Sequence, residues 1–154
     1  MHNDAAKISP QALAPALALA AATAMYACDR ATQALGITLS EVRPGYARMD
    51  MPVRIDMLNG HQSCHGGFIF ALADSAFAYA CNSHNLNTVA SGCSIEYLAP
   101  ARLGDVLRAE AVEQALAGRT GVYDIKVSNQ DGRTIALFRG KSHRISGEVV
   151  QVQA

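Results

Sequence analysis

The sequence predicts an α+β domain: antiparallel strands wrapped around one central, buried helix, with a further helix ahead of them. Three observations carry that reading. Gly67 to Cys81 is an almost unbroken apolar run of fifteen residues, longer than a usual strand and rich in the helix former Ala. The segments on either side of it alternate with a period of two. And 154 residues, 50% hydrophobic and 17% charged, suit one folded domain over residues 1–154 rather than a disordered chain.

Taken in order, residues 11 to about 35 read as helix, rich in Ala and Leu, with Gly36 as its stop and Pro15 in or before its first turn. Strands follow over 37–42 and 46–53, around the turn Arg43-Pro44-Gly45. In the second, Ala47, Met49, Met51 and Val53 alternate with Tyr46, Arg48 and Asp50. Residues 54 to 65 fit neither template, and Asn59-Gly60-His61-Gln62-Ser63 is a polar loop. The Gly67–Cys81 helix is apolar on every side and must be buried. Four strands close the chain, at about 88–98, 106–116, 120–129 and 134–145, with Asp131-Gly132 as a hairpin turn before the last.

The apolar run 12–22 is the segment most open to another reading. A signal peptide would use such a run, but Asp4 and the single Lys7 make a weak positive leader, and 11 residues fall short of a membrane span. Residues 1–20 are therefore expected to be a flexible or helical extension of a cytoplasmic domain, with no membrane partner. Cys28, Cys64, Cys81 and Cys93 contain no C-x-x-C pair and read as free, buried thiols in a reducing compartment. Thirteen basic and thirteen acidic side chains cancel, so nothing marks a nucleic-acid partner.

The residue that asks for chemistry is Asp74, deep in the apolar helix with no Lys or Arg at a helical spacing. Desolvating a carboxylate costs several kcal/mol unless it is paired or its pKa moves. A catalytic carboxylate of raised pKa fits; so does an aspartate satisfied by backbone or hydroxyl donors across an interface. Ahead of it, His65-Gly66-Gly67 opens the helix, where bare N–H groups and the positive end of the dipole suit a thioester oxygen gaining negative charge. Gly66 and Asp74 lie eight residues apart, about 12 Å along one helix axis. One carbonyl carbon cannot lie close to both, so a shared site needs two chains, related by a two-fold axis.

The remaining candidates are softer. His61 and His65 have an i, i+4 spacing that would suit a metal, but both fall in a loop or at a helix end, so no metal is expected. Asn59 either forms the turn or bonds an acyl group. Ser75 has no base beside it and suits a hydrogen bond to Asp74, to water or to its own helix. Arg139, Lys141 and His143, followed by Arg144, share one face of the last strand: a solvated edge or a grip on phosphates.

At these residues the chain resembles a known family. Met57-Leu58-Asn59-Gly60-His61-Gln62-Ser63-Cys64-His65-Gly66-Gly67, Leu72-Ala73-Asp74 and Ala76-Phe77-Ala78-Tyr79-Ala80-Cys81-Asn82 resemble the hotdog-fold thioesterases of the phenylacetic-acid-degradation (PaaI) family. Gly121–Ile125 and Ala136–Arg144 are similar too, so the likeness runs from about residue 24 to 145. The resemblance implies a hotdog fold, dimers joined into one continuous sheet, and a dimer of dimers. It implies hydrolysis of aryl-acetyl-coenzyme A esters such as phenylacetyl-CoA and its ring-hydroxylated forms, with no cofactor, coenzyme A being part of the substrate. Asp74 then matches the nucleophile or general base and Gly66 the oxyanion donor, with His65 and Asn59 beside the thioester. Gly67, Ser75, Arg139, Lys141 and His143 are the expected substrate contacts. A hydratase or dehydratase on the same fold, or a non-catalytic acyl-CoA-binding module, are the competing readings.

Overall fold

The computed structural model describes residues 10–152. Two helices lead, α1 (Pro10–Cys28) and α2 (Arg30–Ala34), followed by the hairpin β1 (Thr38–Arg43) and β2 (Tyr46–Pro52). A 3-10 turn at Ile55–Met57 leads to the long helix α3 (Gly66–Asn82), and then come β3 (Leu86–Tyr97), β4 (Val106–Ala117), β5 (Thr120–Ser128) and β6 (Thr134–Glu148). The six strands form one sheet in the order β1-β2-β4-β5-β6-β3, every neighbouring pair antiparallel. It curls around α3, the hotdog arrangement that the resemblance implies. β3 is an edge strand, with only β6 beside it.

The strand alternation expected from the sequence builds the core. Ala47, Met49 and Met51 on β2, Leu107, Ala109 and Ala111 on β4, and Tyr123, Ile125 and Val127 on β5 are buried against Leu72, Ala76 and Phe77 of α3. Each large side chain removed from water contributes about 1.5–3 kcal/mol. Phe77 is buried among aromatic rings, its ring centroid 5.5 Å from Tyr123 and 6.1 Å from Phe138. It lies over Gly140 so closely that a Cβ there would stand 2.8 Å from the ring. The far end of α3 is clamped to β3 by Asn82, whose amide donates to Thr88 O and accepts from Thr88 N–H, both at 2.9 Å.

Five expectations change. The first helix is not continuous: Asp29 breaks it, because its carboxylate caps α2 by accepting from Thr32 N–H at 3.1 Å. Pro15 lies inside α1, beyond its first turn. Cys28 and Cys93 are exposed rather than buried, although all four cysteines are free. And α3 is not buried all round: Phe70, Ala71, Asp74, Ser75 and Ala78 are only partly covered. Of these, Phe70, Asp74 and Ala78 follow one another at i, i+4 and form a stripe along the helix. α1 packs through Ala18, Ala21 and Ala22, with Leu13 and Leu19 exposed. By length and composition Gln11–Cys28 is sufficient to cross a membrane, against the shorter run expected from 12–22.

Candidate active site

Three local causes place Asp74. Helical periodicity puts it on the partly covered stripe of α3, the clamp at Asn82 fixes α3 against β3, and period two along β3 turns Cys93 toward the helix. The Cys93 thiol then lies 4.0 Å from Asp74 Oδ1. No cation pairs with Asp74 among the described residues. Burial without a cation raises its pKa above the ordinary carboxylate range. Asp74 in turn helps to raise the pKa of the Cys93 thiol, for which partial desolvation of an otherwise exposed side chain is the larger cause. The carboxylate therefore holds its proton more tightly than a solvated aspartate, and it remains partly exposed.

The helix opening is built by hydrogen bonds that use up every backbone donor but one. His65 is extended (φ −60, ψ 133) and caps the helix, its Nδ1 accepting from Gly67 N–H at 3.0 Å. Its own N–H donates to Met57 O at 2.8 Å, and Phe68 N–H donates to His65 O at 3.0 Å. Gly66 N–H has no partner among the described residues. An unspent donor in the first turn of a 17-residue helix is suited to a developing oxyanion. Because Nδ1 accepts, a neutral His65 ring carries its proton on Nε2.

Gly66 and Asp74 lie on the same unbroken helix, so the separation of about 12 Å stands within one chain. Asn59 organises the preceding loop: its Oδ1 accepts from His61 N–H at 2.9 Å, Ser63 N–H at 3.3 Å and the Ser63 hydroxyl at 3.2 Å. His61 is exposed in that loop. Among the described residues no cluster of three or more His, Cys, Asp or Glu side chains forms a metal site.

Ser75 engages the N-terminal helices. Its hydroxyl is 3.3 Å from Thr32 Oγ1, which donates to Asp29 Oδ2 at 2.6 Å; Tyr79 donates to the same oxygen at 3.2 Å. Arg139, Lys141 and His143 do share one exposed face of β6, but it is the face away from α3, since Phe138, Gly140 and Ser142 between them are buried. Arg139 is held there by Asp124 through two bonds of 2.6 and 2.8 Å.

Two residues at the site were not singled out from the sequence, Cys93 and Tyr97. Both lie on the helix-facing side of β3, at i and i+4, and Tyr97 donates to Gly66 O at 2.9 Å. Period two along 88–98 places them on one face, but only the pairing of β3 beside α3 makes that face part of the site.

The thioesterase superfamily profile matches residues 61–136. An acyl-coenzyme A thioesterase, PaaI, from Escherichia coli K12 is 54% identical over 128 residues, which cover 83% of this chain and 91% of that protein. The solved structure of E. coli PaaI, from the phenylacetic acid degradation operon, superposes with a TM-score of 0.86 at 52% identity, covering 87% of this chain and 97% of that one. A mutant of the phenylacetic acid degradation protein PaaI from Thermus thermophilus gives 0.73 at 40% identity, covering 76% and 100%. A hypothetical thioesterase from Streptococcus pneumoniae TIGR4, solved with coenzyme A, gives 0.69 at 27% identity, covering 73% and 90%.

Proposed function

The chain belongs to the PaaI-type acyl-coenzyme A thioesterases of the thioesterase superfamily, and from that premise we propose that it hydrolyses aryl-acetyl-coenzyme A esters, phenylacetyl-CoA and its ring-hydroxylated forms among them. The acyl class follows the E. coli relative's place in a phenylacetic acid degradation operon. The coenzyme A held by the streptococcal relative supports the thiol half of the substrate. The four free cysteines support a reducing, cytoplasmic setting.

The observation that carries the mechanism is that one helix holds two incomplete halves of a site. Asp74 is a partly buried carboxylate of raised pKa with no cation, and Gly66 N–H is a helix-terminal donor with nothing to donate to. They stand too far apart on one helix to meet at one carbonyl carbon. A second copy placed antiparallel along the open edge of β3, with the two α3 stripes face to face, brings each Gly66 opposite the other chain's Asp74. Two sites form per dimer, and pairing two such dimers gives the tetramer.

In that site Gly66 N–H takes the developing charge on the thioester oxygen. Asp74 removes a proton from water as its oxygen adds to the carbonyl carbon. The tetrahedral intermediate collapses with loss of the coenzyme A thiolate, which takes up the proton, leaving the free acid. A carboxylate whose pKa is raised toward the working pH suits proton removal better than direct attack. His65, with its proton on Nε2, and Asn59 stand beside the thioester.

The test is hydrolysis of phenylacetyl-CoA by wild type and Asp74→Asn, read by release of free thiol, which hydration or dehydration of an acyl-CoA does not give. The Asn variant is expected to fold and to lose about 10²–10⁴-fold in kcat, the range of a positioned base. Full turnover in that variant would overturn the role of Asp74.

A further inference from the structure

We infer that Tyr97 is a positioning residue for the oxyanion donor. This rests on the role of Gly66 N–H proposed above. The hydroxyl end of the Tyr97 ring lies against the Gly66 α-carbon: a Cβ built there would stand 3.0 Å from Cζ, 3.1 Å from the hydroxyl and 3.2 Å from Cε1. A Cβ at 66 requires the ring to give by a few tenths of an ångström, which moves its hydroxyl relative to the helix start. Glycine admits this contact, and it brings a difficulty of its own. Without a Cβ its φ and ψ are loosely held, so the donor would swing through a range of directions.

The structure removes that freedom from both sides of the next peptide. Its oxygen, Gly66 O, accepts from the Tyr97 hydroxyl at 2.9 Å, and its N–H, on Gly67, donates to His65 Nδ1 at 3.0 Å. With the 66–67 peptide pinned at both ends and the His65 N–H tied to Met57 O, the dihedrals of Gly66 are fixed between two anchored planes. Its N–H then has one direction left, outward. A carbonyl oxygen has two lone pairs, so the Tyr97 bond leaves room for the helical bond from Phe70 N–H.

Tyr97 is the last residue of the edge strand and is about half exposed within one chain, at 51%, so its hydroxyl bond to Gly66 O ties its side chain to the fold. The hydroxyl bridges β3 to the first turn of α3, so the donor's direction is referenced to the sheet edge. Preorganised donors act on the transition state and do little for the ground state. Tyr97→Phe keeps the ring against Gly66 and removes only the anchor.

The experiment compares wild type and Tyr97→Phe for phenylacetyl-CoA turnover, for affinity toward a non-hydrolysable thioether analogue, and for affinity toward a trifluoromethyl ketone analogue that becomes tetrahedral at the carbonyl position. Expected are a loss of roughly tenfold in kcat, less than the loss on deleting a donor outright, an unchanged KM and thioether affinity, and a parallel loss of affinity for the ketone. Unchanged kcat and ketone affinity in Tyr97→Phe would overturn the inference while leaving the thioesterase reading intact. Loss of thioether affinity by the same factor as kcat would also overturn it, because it would make Tyr97 a ground-state binding residue. A wild-type protein without thioester turnover fails the parent reading instead.

Discussion

Burial holds a proton on Asp74 at pH values where the unfolded chain has already released it. Folding stability therefore falls as pH rises from the usual carboxylate range through the raised value, and above it the charged group remains a cost. Asp74→Asn removes that cost, so it is expected to resist urea better than wild type at neutral pH. The two should converge once pH falls below the ordinary carboxylate range. A less stable Asn variant at neutral pH would contradict the burial account. The same shift places the acid limb of kcat/KM above the ordinary carboxylate range, with activity rising through it as the base ionises. Much of this residue chemistry was legible in the sequence, since Asp74 is a lone charge in an apolar helix. Cys93 and Tyr97 were not, because nothing local says which helix a strand face will meet.

At the level of elements, the position of α3 on the sheet decides where Asp74 faces, and glycine decides how close α3 can come. Phe77 rests on Gly140, where a Cβ would stand 2.8 Å from the ring, and a buried ring between Tyr123 and Phe138 has no room to yield. Gly140→Ala is expected to destabilise the fold by about 1–3 kcal/mol, the usual cost of overpacking a core. Equilibrium denaturation checks it, and a variant as stable as wild type would mean that α3 sits less tightly than the contact implies. The six strands and α3 were predictable because their periodicity is local and strong. The break at Asp29 was not, since Ala and Leu on either side favour helix and only the capping bond to Thr32 ends it. That break also turns Thr32 toward Ser75, tying the N-terminal helices to the residue beside Asp74.

For the whole molecule, the features that look unfinished in one chain belong together. β3 is an edge strand carrying exposed Val89 and Tyr97, α3 has a partly covered stripe through Phe70, Asp74 and Ala78, and the donor and the base sit about 12 Å apart on one helix. The separation of Gly66 and Asp74, on which the proposed two-chain site rests, was legible from their spacing. That β3 lies at the free edge of the sheet was not, because strand order is a property of long-range pairing. Arg139, Lys141 and His143 show the same limit: period two put them on one face, and only the sheet shows that this face lies away from Asp74.

The claim that one chain's Asp74 serves the other's Gly66 is tested by complementation. Gly66→Pro deletes the donor at the first helical position, where proline is tolerated and where the extended His65 suits a following proline, though the Tyr97 ring must shift. Asp74→Asn deletes the base. Each homodimer is expected to be inactive, while a dimer of one chain of each kind has one intact site and one doubly defective site. Refolding the two variants together in equal amounts should restore about a quarter of wild-type activity, from random assortment into two-fold dimers. A mixture no more active than its two components, with mixed dimers demonstrated by mass, would contradict the shared site.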